Sequence, residues 1–326
     1  MYNVKVAVLD TGLDIHDEEV KDHYILKKEL QLNDENIMDD FNGHGTLVAK
    51  TILNTCSNAK IYPIKIFNNS GKTNSYYVVE VLQKILTSDI KLINISASTF
   101  DSTYEKELKE ICYKLKENNK IVICSKHNSI KSNYSIPTVF DSVIGVSGHK
   151  DIYDNHKYFY RKGEKIQMCA NDKDYFIKFK NKVTHFGKNS KACAIATGII
   201  ANIVKDNQNI SMTDLESILV NNSENEKNLD LKKIYDLDLN EKMFFNIKHS
   251  VLDVINSNFA KRKVDLNFVQ KHSLFNNITD IGNYNAYELL KNINKYFKIN
   301  INYKDIFLYQ LKDIDTISFI IFTHLN

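Results

Sequence analysis

The chain carries near its start the stretch VAVLDTG, residues 6–12, in which an apolar, strand-like run ends in an acid and a turn. Two later stretches, NGHGT at residues 42–46 and NSKA at residues 189–192, each open a pattern typical of a helix. Up to Val146, short apolar runs alternate with amphipathic helical patterns. This alternation predicts a parallel sheet covered by helices on both faces, with functional residues at the carboxyl ends of its strands.

Three residues of these stretches, Asp10, His44 and Ser190, have the chemistry of a nucleophilic relay. A serine is a poor nucleophile at neutral pH and needs an adjacent base, which an acid must orient. Each residue alone also has an ordinary structural interpretation, as a turn acid, a loop histidine or a helix cap. Together they are far more specific, and we predict that they are the catalytic residues.

Composition narrows the class of protein. Of the 326 residues, 43% are hydrophobic and 25% are charged, which is ordinary for a globular protein. The net charge is only +3 and no basic run is present, so the sequence does not indicate a nucleic-acid-binding face. No apolar run is long enough to cross a membrane. Because a strand follows Met1 almost at once, we expect neither a signal peptide nor a pro-segment. The five cysteines are scattered and show neither metal-binding nor disulfide spacing, so we expect a reducing, cytoplasmic location.

The pattern changes after the first two thirds of the chain. We predict a catalytic domain over residues 1–224, a polar linker over residues 225–241, and a small helical domain over residues 242–326.

The motifs resemble those of subtilases, the subtilisin-like serine peptidases. The match consists of VLDTG at residues 8–12, NGHGTLVA at residues 42–49 and SKACAIATG at residues 190–198, in the family's order of acid, histidine and serine. The resemblance covers residues 1–224. It implies an α/β fold, a subtilisin-like three-layer domain with a mostly parallel central sheet, to which the chain adds a small all-α C-terminal domain.

The resemblance also implies a role for each site residue. Ser190 would attack the scissile carbonyl, His44 would take its proton, and Asp10 would orient His44. Asn128 aligns with the asparagine that stabilises the oxyanion, together with the backbone N–H of Ser190. An extended peptide would add as a strand along the substrate-binding edge formed by Ser96, Ala97 and Ser98.

Three departures from the family pattern bear on activity. Lys188-Asn189 replaces the usual Gly-Thr before the serine, His127 replaces a glycine, and Ala194 replaces a proline. None removes a catalytic atom, but lysine reaches the backbone angles of glycine only with strain. The alternative function is therefore a weak or inactive pseudo-peptidase that binds peptides. We interpret His127 and His185 as loop histidines.

Metal binding cannot be located in the sequence. The family often binds calcium through loop oxygens, but Asp14, Asp39 and Asp40 are as well explained as surface charges. We therefore predict no metal site and no cofactor, and calcium stays an implication of the resemblance alone. Pro137 is expected to follow a cis peptide bond on the same grounds.

Residues 242–326 weakly resemble an acyl or peptidyl carrier domain, with a generic helical bundle as the alternative. The position that aligns with the carrier's attachment serine is Asn283, which cannot form the phosphodiester. This region would then dock a biosynthetic partner. We predict an intracellular serine endopeptidase that acts on a peptide or protein substrate, with removal of a leader from a ribosomally made peptide such as a bacteriocin precursor as the specific hypothesis.

Overall fold

The structure is a computed structural model that describes residues 3–32, 39–129, 134–225 and 241–325. The described chain forms two compact units, and the second contains both Lys173–Phe186 and the helices that follow residue 240. The first unit contains the chain up to Asp172 and the segment that resumes at Gly187. The predicted linker at residues 225–241 lies outside the described residues except for its two end residues.

The first unit is built on a central sheet of seven described strands in the order β2-β1-β3-β4-β5-β7-β6. All neighbouring strands are parallel except β6 and β7, which pair antiparallel at one edge. The strands are β1 Val4–Asp10, β2 Ala59–Lys65, β3 Leu92–Ile95, β4 Ile121–Ser125, β5 Val143–Gly148, β6 Phe159–Tyr160 and β7 Met168–Ala170. The apolar runs of the sequence form this sheet because a parallel strand is buried on both faces.

Helices cover both faces of this sheet. The described helices of the first unit are α1 His44–Thr55, α2 Ser75–Leu86, α3 Glu105–Glu117, α4 Lys188–Asp206 and α5 Met212–Asn221. Helix α4 contacts α1 and the strands β1, β3, β4 and β5, whereas α2 and α3 contact each other and share a separate apolar core with the sheet. The three-layer α/β prediction is therefore confirmed.

Helix α4 approaches α1 closely because its residues are small. A Cβ atom on Gly198 would lie 2.5 Å from Cβ of Thr55, so this contact requires glycine. The amide of Asn202, further along α4, donates a hydrogen bond of 2.8 Å to the backbone carbonyl of Thr55. The serine helix is thus held against the helix that begins at His44.

The second unit combines four described helices with an antiparallel hairpin. The helices are α6 Glu241–Asn258, α7 Leu266–Lys271, α8 Ala286–Phe297 and α9 Ile314–Leu325, and the hairpin strands are β8 Tyr175–Phe179 and β9 Lys182–Phe186. The prediction of an all-helical domain did not include this hairpin. Asn283 is exposed just before α8, and the carrier resemblance stays a prediction.

The hairpin belongs to the second unit because its backbone and its apolar side chains have their partners there. Tyr175 forms a β-bridge with Phe307, and the N–H of Leu308 donates a 2.8 Å hydrogen bond to the carbonyl of Asp174. Phe176 is 2% exposed, and its ring lies 6.0 Å from that of Tyr287. These contacts join residues that are more than a hundred positions apart, which local sequence patterns do not record.

Within the described part of the chain, none of the helices has the length and apolar character needed to span a bilayer.

We expect Phe176→Ala to lower the free energy of unfolding by about 3–5 kcal/mol, because it leaves a cavity in the core of the second unit. Lys182→Ala, in the exposed start of β9, is the matched control and should change it by less than about 0.5 kcal/mol. Urea-induced unfolding followed by circular dichroism measures both. Equal stability of the two variants would mean that the hairpin is not part of this core.

Candidate active site

The acid of the predicted triad lies where strand β1, an inner strand of the sheet, ends. Asp10 is the last residue of β1 and is 1% exposed. Its Oδ1 accepts a 2.8 Å hydrogen bond from the backbone N–H of Thr11. The Nδ1 atom of His44 lies 2.8 Å from Oδ1 of Asp10 and 3.0 Å from Oδ2, so the imidazole donates to the carboxylate and its orientation is fixed.

The base is placed by glycines at the start of α1. Gly43 adopts a φ of 90°, in the left-handed region, and His44 follows as the first residue of the helix. A Cβ atom on Gly45 would lie 2.3 Å from the carbonyl oxygen of Gly12, so only glycine allows the helix to approach the loop after β1. The start of α1, which carries His44, therefore packs with its backbone directly against the loop that follows Asp10.

Asp40 is a site residue that the sequence analysis missed, because a surface charge explained it equally well. It is completely buried. Its carboxylate accepts hydrogen bonds from Oγ1 of Thr11 at 2.9 Å, the N–H of Gly43 at 2.7 Å, and the N–H and Oγ1 of Thr46 at 2.9 and 2.7 Å. The hydroxyl of Thr11 in turn accepts from the N–H of Gly45 at 2.9 Å. An acid just before a helix start was the available signal.

The surroundings of His44 raise its pKa. Burial lowers the pKa of His44, but the negative charge of Asp10 and its hydrogen bond, with a smaller contribution from the charge of Asp40, outweigh burial and raise that pKa above its ordinary value. This is the environment that a base needs if it is to hold a proton during a reaction.

Ser190 lies in the first turn of α4 and is 7% exposed. Its hydroxyl donates a 3.1 Å hydrogen bond to the backbone carbonyl of Ser96, just after β3. The backbone N–H of Ser190 belongs to the first helical turn, where N–H groups have no acceptor within the helix. Such a group can donate to an anion bound at the helix start.

Asn128 follows β4, and its side chain faces the same helix start. Its Oδ1 accepts a hydrogen bond of 3.3 Å from the backbone N–H of Asn189. Because the donor is a backbone N–H, the oxygen of the amide must face it, and the NH₂ group is directed elsewhere.

A single cavity of about 340 Å³ brings the predicted site residues together. It is lined by Asp10, His44, Ser190 and Asn128, by Ser96, Ala97 and Ser98, and by the neighbouring Lys126 and His127. A second cavity of about 220 Å³ shares Phe67, Ala97 and Ser98 with the first. Apolar side chains, among them Ile66, Val78, Leu108 and Ile136, and polar ones, among them Thr73, Asn74 and Asp101, line the rest of it in similar numbers. The two cavities therefore adjoin each other at Phe67 and at the segment after β3.

The departures from the family pattern have visible structural consequences. Lys188 adopts a φ of 60°, so it occupies the left-handed conformation that glycine would adopt without strain. His127 lines the cavity; its Nδ1 accepts the N–H of Ser129 at 3.0 Å, and its ring lies 4.5 Å from that of Phe100. Ala194 is buried within α4. The Ile136–Pro137 bond is cis, as the resemblance implies.

His185 and the candidate calcium ligands contribute nothing to this cavity's described lining. His185 lies in β9 of the second unit, Asp39 is exposed, and Asp14 accepts a local hydrogen bond from the N–H of His16. Across the described ranges, no group of three or more His, Cys, Asp or Glu side chains is arranged to hold a metal ion.

Comparisons with known proteins agree with this geometry. The model of the subtilase family, Peptidase S8, matches residues 2–237. The chain is 26% identical over 198 residues to the major intracellular serine protease of Bacillus subtilis (strain 168), covering 55% of this chain and 61% of that protein. Among solved structures, sphericase has a TM-score of 0.57 at 19% identity, covering 68% of this chain and 83% of its own.

A lanthipeptide protease has a TM-score of 0.56 at 17% identity, covering 66% of this chain and 78% of its own. Identities this low show a shared fold. The family model, which matches well over half of the chain, goes further: the chain belongs to the subtilase family.

Proposed function

We propose that the protein is a serine endopeptidase in which Asp10, His44 and Ser190 form the catalytic triad. The observation that carries the proposal is the 2.8 Å hydrogen bond from His44 Nδ1 to Asp10, in a cavity that Ser190 also lines. The name of the Bacillus subtilis relative, a serine protease, supports the same chemistry.

In the proposed reaction, the Ser190 hydroxyl attacks the carbonyl carbon of a peptide bond. His44 takes the hydroxyl proton through Nε2, because Nδ1 is occupied by Asp10, and then gives that proton to the departing amine. A water molecule attacks the resulting acyl-serine ester, with His44 again as the base. Asp10 keeps the imidazole in the required tautomer and stabilises its charged form.

The negative charge that develops on the carbonyl oxygen is stabilised at the start of α4. The backbone N–H of Ser190 and the side-chain NH₂ of Asn128 are the two donors in this proposal. Donors fixed before the reaction lower its barrier because they do not have to reorganise as the charge forms.

The substrate is an extended peptide that adds as a strand along Ser96, Ala97 and Ser98. One of its side chains occupies the second cavity, which shares Ala97 and Ser98 with the catalytic cavity and has both apolar and polar walls. A chain bound in this way must be unfolded around the cleavage site, which favours flexible precursor segments over folded proteins.

The specific role that we propose is processing of a ribosomally made peptide by removal of its leader, inside the cell. The Bacillus subtilis relative is named an intracellular serine protease, and one structure with the same fold is a lanthipeptide protease. Both names are compatible with this role. All five cysteines are free thiols, which fits a reducing compartment. The second unit would dock a biosynthetic partner.

A second candidate function is a peptide-binding protein without catalysis. It is favoured by one observation: the single hydroxyl proton of Ser190 is donated to the carbonyl of Ser96, so the hydroxyl must rotate before His44 can accept that proton.

We expect a fluorophosphonate probe to label the folded protein at Ser190, and the protein to cleave members of a peptide library identified by mass spectrometry. Ser190→Ala should abolish both, because it removes the nucleophile. Peptide binding without labelling or cleavage would support the non-catalytic alternative. Cleavage that survives Ser190→Ala would contradict the triad.

The pH dependence of kcat/KM should follow the ionisation of His44. Only the neutral imidazole accepts a proton, so activity should fall below a midpoint that lies above the ordinary histidine value of 6.5. Asp10→Asn removes the charge that raises this pKa, so the midpoint should move to lower pH while kcat falls on the order of 10³-fold or more. The exposed Asp39→Asn is the control, and an unshifted midpoint in Asp10→Asn would contradict the assignment.

Asn128→Ala should lower kcat by about a hundredfold or more, with little change in KM, because it removes a donor to the oxyanion. The side chain is exposed, so the thermal unfolding midpoint should stay within a few degrees of the wild-type value. Steady-state kinetics and a thermal melt test both points. Unchanged turnover would place the second oxyanion donor elsewhere.

A further inference from the structure

Asn189, the residue directly before Ser190, makes a set of contacts that the proposed chemistry does not yet use. It lies in the first turn of α4, where the family pattern has threonine. Its side chain and backbone together contact two separate segments: the end of β5, and the loop after β4, where they bind the backbone of His127 and the side chain of Asn128.

Both polar atoms of the Asn189 side-chain amide form hydrogen bonds. Its Oδ1 accepts a 2.8 Å hydrogen bond from the N–H of Gly148, the last residue of β5, and its Nδ2 donates to the carbonyl of His127 at 3.4 Å. These partners fix which amide atom is which, because a backbone N–H can only donate and a backbone carbonyl can only accept. A threonine would present one polar atom here instead of two.

The backbone of Asn189 sets the orientation of Asn128. Its N–H donates to Oδ1 of Asn128 at 3.3 Å, and the planar amide of Asn128 must then direct its NH₂ away from that contact. His127, whose carbonyl is bound by the side chain of Asn189, is the residue next to Asn128. Asn189 therefore holds both the loop that carries Asn128 and the amide group of Asn128 itself.

We propose that Asn189 is a positioning residue for the oxyanion site. It ties the loop after β4 and the end of β5 to the start of α4, so that the NH₂ of Asn128 and the N–H of Ser190 face the same point. This inference rests on the proposed peptidase function. It also explains why asparagine stands here in place of the family's threonine. The Nδ2 atom of Asn189 holds the loop after β4, in which His127 replaces the usual glycine.

The test is a double-mutant cycle between Asn189 and Asn128. Asn189→Ala should lower kcat roughly 10–100-fold with KM within about twofold, since a misplaced donor weakens only transition-state binding. In the Asn128→Ala background the same change should cost less than about threefold, because the group that it positions is gone. The proposal would be overturned if kcat were unchanged in Asn189→Ala. It would also be overturned if the fold-losses in kcat of the two single variants multiplied fully in the double variant.

Two further variants separate positioning from folding. Asn202→Ala is the matched control, since Asn202 is an asparagine of the same helix whose amide also binds a backbone carbonyl of another element, and it should lower the melting temperature without lowering kcat. Asn189→Asp keeps an acceptor for Gly148 but places an oxygen against the carbonyl of His127, so it should reduce kcat at least as much as Asn189→Ala.

A measurement on the resting protein tests the positioning even if the enzyme proposal fails. The side-chain ¹⁵N–¹H₂ signals of Asn128 can be assigned by their loss in Asn128→Ala, and their order parameter should fall in Asn189→Ala but not in Asn202→Ala. An unchanged order parameter overturns the positioning role. No cleavage by the wild-type protein, with a lowered order parameter in Asn189→Ala, overturns only the peptidase function.

Discussion

The arrangement of the cavity that Asp10, His44 and Ser190 line depends on one buried carboxylate, that of Asp40. A charge without solvent is costly unless hydrogen-bond donors surround it, and this carboxylate accepts four hydrogen bonds. Its donors come from the loop after β1 and from the first turn of α1. The loop that follows Asp10 and the helix that begins at His44 are therefore fixed to one anion, and the 2.8 Å contact between those two residues follows from that constraint.

Much of the fold and the site could be predicted from the sequence because their signals are local. The apolar run before Asp10 predicts a buried strand, the pattern that NGHGT opens predicts a helix, and the small residues after Ser190 predict a closely packed helix. Parallel strands place their carboxyl ends along one edge, so residues far apart in sequence, including Asn128, meet there. The structure brings all of them into one cavity.

The roles that could not be predicted belong to residues whose contacts depend on the tertiary structure. Asp40 stands among other acids in the sequence, and only the fold shows that it is buried and fully hydrogen-bonded. In the sequence, Asn189 is only a departure from the family motif. Its role becomes visible through its hydrogen bonds to Gly148 and His127, which are distant in sequence. The hairpin of β8 and β9 has ordinary strand residues, and nothing local indicates that Phe176 packs with a ring more than a hundred residues later.

That hairpin imposes an order of events on synthesis. It precedes Ser190 in the chain, yet the residues that bury Phe176 and pair with Tyr175 are made long after the serine helix. While the chain emerges from the ribosome, the segment leading into α4 therefore has exposed apolar side chains and an unpaired strand edge. The second unit cannot be completed until residues 301–321 have emerged, so a nascent chain that already carries Asp10, His44 and Ser190 still lacks the partners of the hairpin that leads into α4.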